Sequence, residues 1–174
     1  MNKPLLLERL HRERDQFEQL LNRVGFTRRL TMKGVFGRLS VKDLLADVLS
    51  HEQFIADRLS EILEGERYAP SVSFTALENF QNHYGCPDFE SPLCEKDAPN
   101  QAVMDQYKNI AFDEIVAQEL AVYSNILEAF DQLTHHQCLD HDLFHRIAEH
   151  TYRPYRRAGA AIHRWLKKIN PEPK

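Results

Sequence analysis

Four stretches of this chain place apolar residues at alternating three- and four-residue spacing over about twenty residues or more. Only a helix with one buried face uses that spacing, so the pattern commits most of the chain to amphipathic helices. The first stretch, residues 4–24, carries Leu6, Leu10, Phe17, Leu20 and Val24 on one stripe. Asn2 suits its cap, Pro4 its first turn, and Gly25 the position just past its end. The second, 41–64, carries Val41, Leu45, Val48, Ile55, Leu59 and Ile62; Ser40 and Asp43 form a capping pattern, and Gly65 is expected to stop it. The third, 112–134, carries Phe112, Val116, Tyr123, Ile126, Phe130 and Leu133. The fourth, 142–168, carries Leu143, Ile147, Ala161 and Trp165, and ends at Asn170-Pro171. Pro154 lies inside it and predicts a kink, because proline lacks the backbone donor and crowds the preceding turn.

Four such segments predict an all-α four-helix bundle forming a single domain over residues 1–174. The first connection, 25–40, is short. The second, 65–111, is long enough to cross the end of a bundle, so the second and third helices are expected to run parallel. It contains Pro70, Pro87, Pro92 and Pro99, and room for short helices near 73–83 and 100–108.

Composition excludes several function classes. Six glycines leave little room for phosphate-cradling loops, and neither G-x-G-x-x-G nor G-x-x-x-x-G-K-[ST] occurs. A formal charge of -4 argues against a general nucleic-acid binder. No apolar run approaches the ~18 residues of a membrane span, and the N-terminal Leu5-Leu6-Leu7 is too short for a signal-peptide core. Cys86, Cys94 and Cys138 are odd in number and not in C-x-x-C spacing, as expected of reduced thiols in a cytoplasmic protein.

Each stripe has polar interruptions. Continuing the four-three spacing puts Glu13 on the first core face, Glu52 on the second, Glu119 on the third, and His150 and Pro154 on the fourth. At 1.5 Å per residue these polar side chains lie roughly 10–17 Å in from their helix starts, so they are expected to converge at mid-bundle. An unpaired buried carboxylate costs several kcal/mol, which calls for a compensating reason. Ion pairing to Arg or Lys is one, a metal ion a second, and a pocket where a carboxyl of raised pKa serves as general acid or base a third. The kink at Pro154 would help to shape such a pocket, flanked by Tyr152 and Tyr155.

Nine histidines invite a metal site, but most fall outside the stripes. Asp47 and His51 share a helix face at i,i+4, a spacing that can bind a metal with a third ligand from another helix, although a solvated polar flank is the commoner outcome for a lone pair. His135 and His136 are expected at the surface, as are His141 and His145. From Arg146 to Lys168 there are seven Lys/Arg and one acidic residue, Glu149. Positive charge there complements the helix dipole.

The run Gly34-Val35-Phe36-Gly37-Arg38-Leu39-Ser40-Val41-Lys42-Asp43-Leu44-Leu45-Ala46 resembles the start of the second helix in the DinB-like superfamily, and most of all its ClbS/DfsB branch, which typically reads G-V-x-G-x-W-S-V-K-D-x-L-A-H there. Asn100-Gln101 with Tyr107-Lys108 is similar to the segment before the third helix. His150-Thr151-Tyr152-Arg153-Pro154-Tyr155 is similar to N-T-x-x-H-Y, and Ile162 to Lys168 resembles I-R-K-W-L-K. The likeness covers residues 3–64 and 100–168; the 66–99 connection has no counterpart and is enlarged. Leu39 replaces the tryptophan of the motif. The metal-binding members carry a histidine where Asp47 stands, and H-x-x-x-H where His150 and Pro154 stand. The resemblance implies a bundle with a central cavity and a metal-independent hydrolase that opens the strained cyclopropane of an electrophilic natural product, as in self-resistance. Glu13 and Glu52 would be catalytic, with Glu119, His150, Tyr152 and Tyr155 around a small-molecule ligand. The alternatives are a metal-dependent thiol transferase, with Asp47, His51 and His150 as a variant three-ligand site for nickel or zinc, and a non-catalytic binding bundle, as a homodimer.

Overall fold

In a computed structural model, the described residues are 2–25, 27–68, 101–135, 137–139 and 141–170. Their helices are α1 (Lys3–Val24), α2 (Thr27–Leu30), α3 (Val41–Tyr68), α4 (Gln101–Tyr107), α5 (Phe112–Gln132), α6 (His141–His150) and α7 (Tyr152–Ile169), with a 3₁₀ turn at Gln137–Leu139 before α6. No strand occurs among the described residues; an isolated bridge joins Phe36 to Leu39 in the loop before α3. The fold is an all-α bundle, as the periodicity requires. No described helix is long and apolar enough to cross a membrane.

The caps follow the sequence. Asn2 Oδ1 accepts from the Leu5 amide at 3.0 Å, and Gly25 turns the chain after α1 with φ +80. At α3 the Ser40 amide donates to Asp43 Oδ2 at 2.7 Å while the Asp43 amide donates to Ser40 Oγ at 3.2 Å, a reciprocal capping box that Lys33 extends with an ion pair to the same Oδ2. Ser40→Ala is expected to cost about 1 kcal/mol in urea unfolding, since it orphans one end of that box. Gly65 does not stop α3, which continues to Tyr68. A glycine inside a helix costs only about 1 kcal/mol relative to alanine, less than the packing of the preceding turns supplies.

The remaining differences lie in the last segment and in the long connection. The fourth segment is two helices broken at Thr151, whose φ -124 and ψ -93 are not helical. Pro154 is the cause, three residues upstream of where its own position suggests: its missing amide and its ring both act on the carbonyl of His150. The chain responds by starting α7 at Tyr152, which puts Pro154 in a first turn, where the amide is dispensable. Thr151 Oγ1 donates to the Ile147 carbonyl at 2.6 Å and closes the end of α6. The helix expected near 100–108 is α4, whereas the one near 73–83, with Cys86 and Cys94, lies outside the described residues.

Contacts fix the helix directions. Lys3 Nζ donates to the Asp131 carbonyl at 3.0 Å, so α1 begins where α5 ends, and the two are antiparallel. Lys42 Nζ donates to the Lys108 carbonyl at 3.0 Å, so α3 begins where α5 begins, and the two are parallel as expected. Glu13 meets Arg156 and Arg23 faces the same cavity as Leu166, so α1 and α7 also run parallel. One continuous apolar core joins these helices, with Leu10, Leu49, Ile115, Ile126, Tyr155 and Ile162 almost wholly buried.

Candidate functional site

The stripe exceptions are buried as the spacing requires: Glu13, Glu52, Glu119 and His150 all lie in the interior. They do not meet at a single point. Three separate polar groups form, each organised by an arginine that the apolar pattern does not single out; of the three only Arg14 is itself buried.

The innermost group joins α1, α3, α5 and α7. Arg14, itself buried, donates through Nη2 to Glu119 Oε2 at 2.7 Å, and through Nη1 to Glu18 Oε2 at 2.9 Å. Its guanidinium also lies 4.6 Å from the centre of the Tyr123 ring. The Tyr155 hydroxyl donates to Glu52 Oε1, and Phe17 stacks on Tyr155 at 5.7 Å and 14°. Glu52 Oε2 has no hydrogen-bond partner among the described residues. Burial pushes the Glu52 carboxyl well above the usual carboxylate range; the charge of Glu119 pushes the same way, against the Tyr155 hydrogen bond and Arg14. Burial also raises Glu119, with Arg14 pulling it down without cancelling the effect. Burial lifts Tyr155 well above its ordinary value and takes Tyr123 up to about 12. Burial thus favours the protonated form of both carboxyls, most strongly at Glu52, while Arg14 favours the charged form of Glu119. A cavity of about 390 Å³ reaches the Arg14–Glu119 side of this group; Arg14, Glu18, Asp113 and Glu119 supply its charges and Phe17, Leu21, Leu45 and Val116 its apolar walls, while Glu52 and Tyr155 lie behind them.

The second group lies in a groove between α1 and α7. Arg156 binds Glu13 through both Nε, at 2.7 Å, and Nη2. That pairing holds the Glu13 carboxyl below its ordinary value in spite of burial, with Arg12 and Arg9 adding to it. Tyr152 belongs here too: Arg9 and Arg156 lie 4.8 Å and 5.6 Å from its ring centre. Glu13 and Tyr152 are thus apart from Glu52, Glu119 and Tyr155, although Tyr155 and Phe17 line the groove from its inner side.

The third group brings Asp47, His51 and His150 together. Arg157 Nη2 donates to Asp47 Oδ2 at 2.6 Å and lies 3.3 Å from His51 Nε2, and His51 Nδ1 lies 3.1 Å from His150 Nδ1. Arginine has no acceptor, so His51 Nε2 must accept; its proton is on Nδ1 and points at His150 Nδ1, which places the His150 proton on Nε2. Burial is the main reason both imidazoles fall to about 4, so both are neutral at pH 7. These residues do not fit a divalent ion. The guanidinium already lies between the carboxylate and His51 Nε2, and the facing imidazole nitrogens are engaged with each other. Among the described residues no group of three or more His, Cys, Asp and Glu is arranged to hold a metal.

Arg14, Arg156 and Arg157 are the residues that the periodicity does not identify. The last two sit in the basic run attributed to the helix dipole. The expected surface positions His135 and His145 are exposed, and Cys138 is a free thiol. No family model matches the chain, and no curated protein or solved structure matches it.

Proposed function

We propose that this chain is a small hydrolase of the ClbS/DfsB type within the DinB-like superfamily, acting in the cytoplasm on an electrophilic small molecule bound in the cavity at Arg14 and Glu119. The observation that carries this reading is the buried pair Glu52–Glu119. Their environments divide them: burial lifts the Glu52 carboxyl well above the usual range, while Arg14 opposes the rise at Glu119. That division supplies an acid and a base without a metal. Glu119 would accept a proton from a water attacking the electrophilic carbon. Glu52, wholly buried behind the cavity, would pass its proton by way of Glu119 to the atom released as the strained ring opens, so that one water is consumed and one C–C bond breaks. Arg14 would offset the negative charge that develops. Apolar walls with a few convergent polar groups suit a small, largely uncharged reacting centre. Glu13, fixed by Arg156 in the other groove, is assigned to holding that arginine rather than to turnover.

The test is hydration of an activated cyclopropyl ketone followed by mass spectrometry. Glu52→Gln and Glu119→Gln should each lower turnover by about 10²–10⁴. Glu13→Gln should change it less than about tenfold. Wild-type rates in both of the first two variants would remove the assignment. A second reading, a non-catalytic binding bundle, is favoured by the arginine pairing of Glu13 and Glu119. It predicts stoichiometric retention of the same ketone with no product.

A further inference from the structure

The groove between α1 and α7 has features that neither core packing nor the chemistry at Glu52 explains. Two cavities of about 450 and 560 Å³ run along it and share Arg23 and His163. The inner one has an apolar floor of Phe17, Leu20 and Gly159, and is closed by the mutually neutralising pair Glu13–Arg156. The outer one is lined by Arg23, His163, Leu166, Lys167 and Asn170, with no acidic residue among the described lining. No ion pair joins Arg23, His163 or Lys167 to another described residue.

The helix dipole accounts for part of this charge. Because α1 and α7 are parallel, their C-termini lie together, and each presents about half a negative charge. Two ends amount to about one unit. Arg23 and Lys167 supply two positive charges, and His163 adds a ring N–H donor. About one positive charge remains over, in a partly enclosed space beside an apolar floor.

Gly159 is the second observation. It lies in the interior of the 18-residue α7, where glycine is the poorest helix former after proline. A Cβ there would meet Leu20 Cδ2 at 3.6 Å and Phe17 Cδ2 at 3.8 Å, ordinary contact distances, so close helix packing does not require the glycine. What the missing side chain does is leave the groove floor open.

We propose that this groove binds an amphipathic organic monoanion, its apolar body over Phe17, Leu20 and Gly159 and its carboxylate or sulfonate head between Arg23 and Lys167. The site is distinct from the cavity at Arg14 and Glu119 and does not depend on the activity proposed there.

Fluorescence titration of the full chain with 1-anilinonaphthalene-8-sulfonate tests it, with uncharged N-phenyl-1-naphthylamine as control and octanoate as competitor. Wild type should bind the sulfonate at one saturable site from which octanoate displaces it. The double variant Arg23→Gln, Lys167→Gln should weaken both anions about tenfold or more and leave the uncharged probe within about twofold, because only the charge-assisted contacts are lost. The charge-preserving Arg23→Lys, Lys167→Arg pair should retain most of the binding. Gly159→Leu should remove both probes while circular dichroism and the thermal midpoint remain those of a folded helical protein. Absent binding to wild type, sulfonate binding indifferent to the double variant, or failure of octanoate to compete would each overturn the proposal.

Discussion

Arg14→Met is expected to lower the unfolding free energy by about 3–5 kcal/mol at pH 7, the range for removing one partner from a buried ion pair. Methionine fills much of the arginine volume, so little of that loss is cavity formation. The cost is electrostatic: Glu119, only 4% exposed, is left as an unpaired carboxylate in an interior that already raises its pKa. The exposed half of the Arg14 interaction, with Glu18, contributes at most a few tenths of a kcal/mol, as surface i,i+4 pairs do. Two features identify the mechanism. The double variant Arg14→Met, Glu119→Leu should recover most of the loss, because a buried pair replaced whole by apolar side chains is often neutral. The single variant should also be less damaged at pH 5 than at pH 7, since Glu119 escapes the penalty by taking up a proton. Urea unfolding of both at the two pH values measures this. A single-variant loss below about 1 kcal/mol would mean that the pair is not buried as described.

Glu52→Gln is expected to act in the opposite direction and to act through pH. Burial places the folded pKa of Glu52 well above its ordinary value of 4.5. Below about 4.5 the residue is protonated in both states, and pH has no leverage. Above it the unfolded chain loses this proton while the folded chain keeps it, so the native state binds more protons and stability falls as pH rises. The slope from one group is at most about 1.4 kcal/mol per pH unit, and it continues until the folded residue itself titrates. Glutamine is neutral throughout and can still accept from the Tyr155 hydroxyl. The variant should therefore be about as stable as wild type near pH 4.5 and progressively more stable from pH 5 to 8. A pH-independent difference would show that Glu52 is ionised in the fold. The same measurement bears on turnover, because a variant that is more stable and yet inactive has lost chemistry rather than structure.

These two residues also show how far the sequence could be read. The apolar stripes located four long helical segments, and their interruptions located Glu13, Glu52, Glu119 and His150 as buried. What a four-three pattern cannot say is to which side of the stripe an interruption faces. At 100° per residue, Glu13 and Arg14 flank the Leu10–Phe17 line on opposite sides. That angle sends Glu13 to the α7 groove and Arg14 to Glu119. Arginine partners are hard to foresee for a related reason: a long side chain reaches a carboxylate from a helix position that is not itself on the core stripe, as the half-exposed Arg156 does with Glu13. Pro154 announced a kink, but its effect on the His150 carbonyl moved the break to Thr151, at the junction where two of the three polar groups are assembled.

The parallel seating of α1 against α7 has a consequence for how the chain reaches this structure. The Glu13–Arg156 pair closes a loop of 143 residues, and Lys3 meets Asp131 across 128. Against an up-and-down hairpin that closes over about 20 residues, the added loop-closure entropy is about 1.7 kcal/mol, modest for stability. For kinetics it matters more, because high contact order slows folding and leaves surfaces uncovered meanwhile. During synthesis α1 emerges well before α5 and α7, and its inner face stays uncovered until they follow. α1 is thus seated only by helices made more than a hundred residues after it.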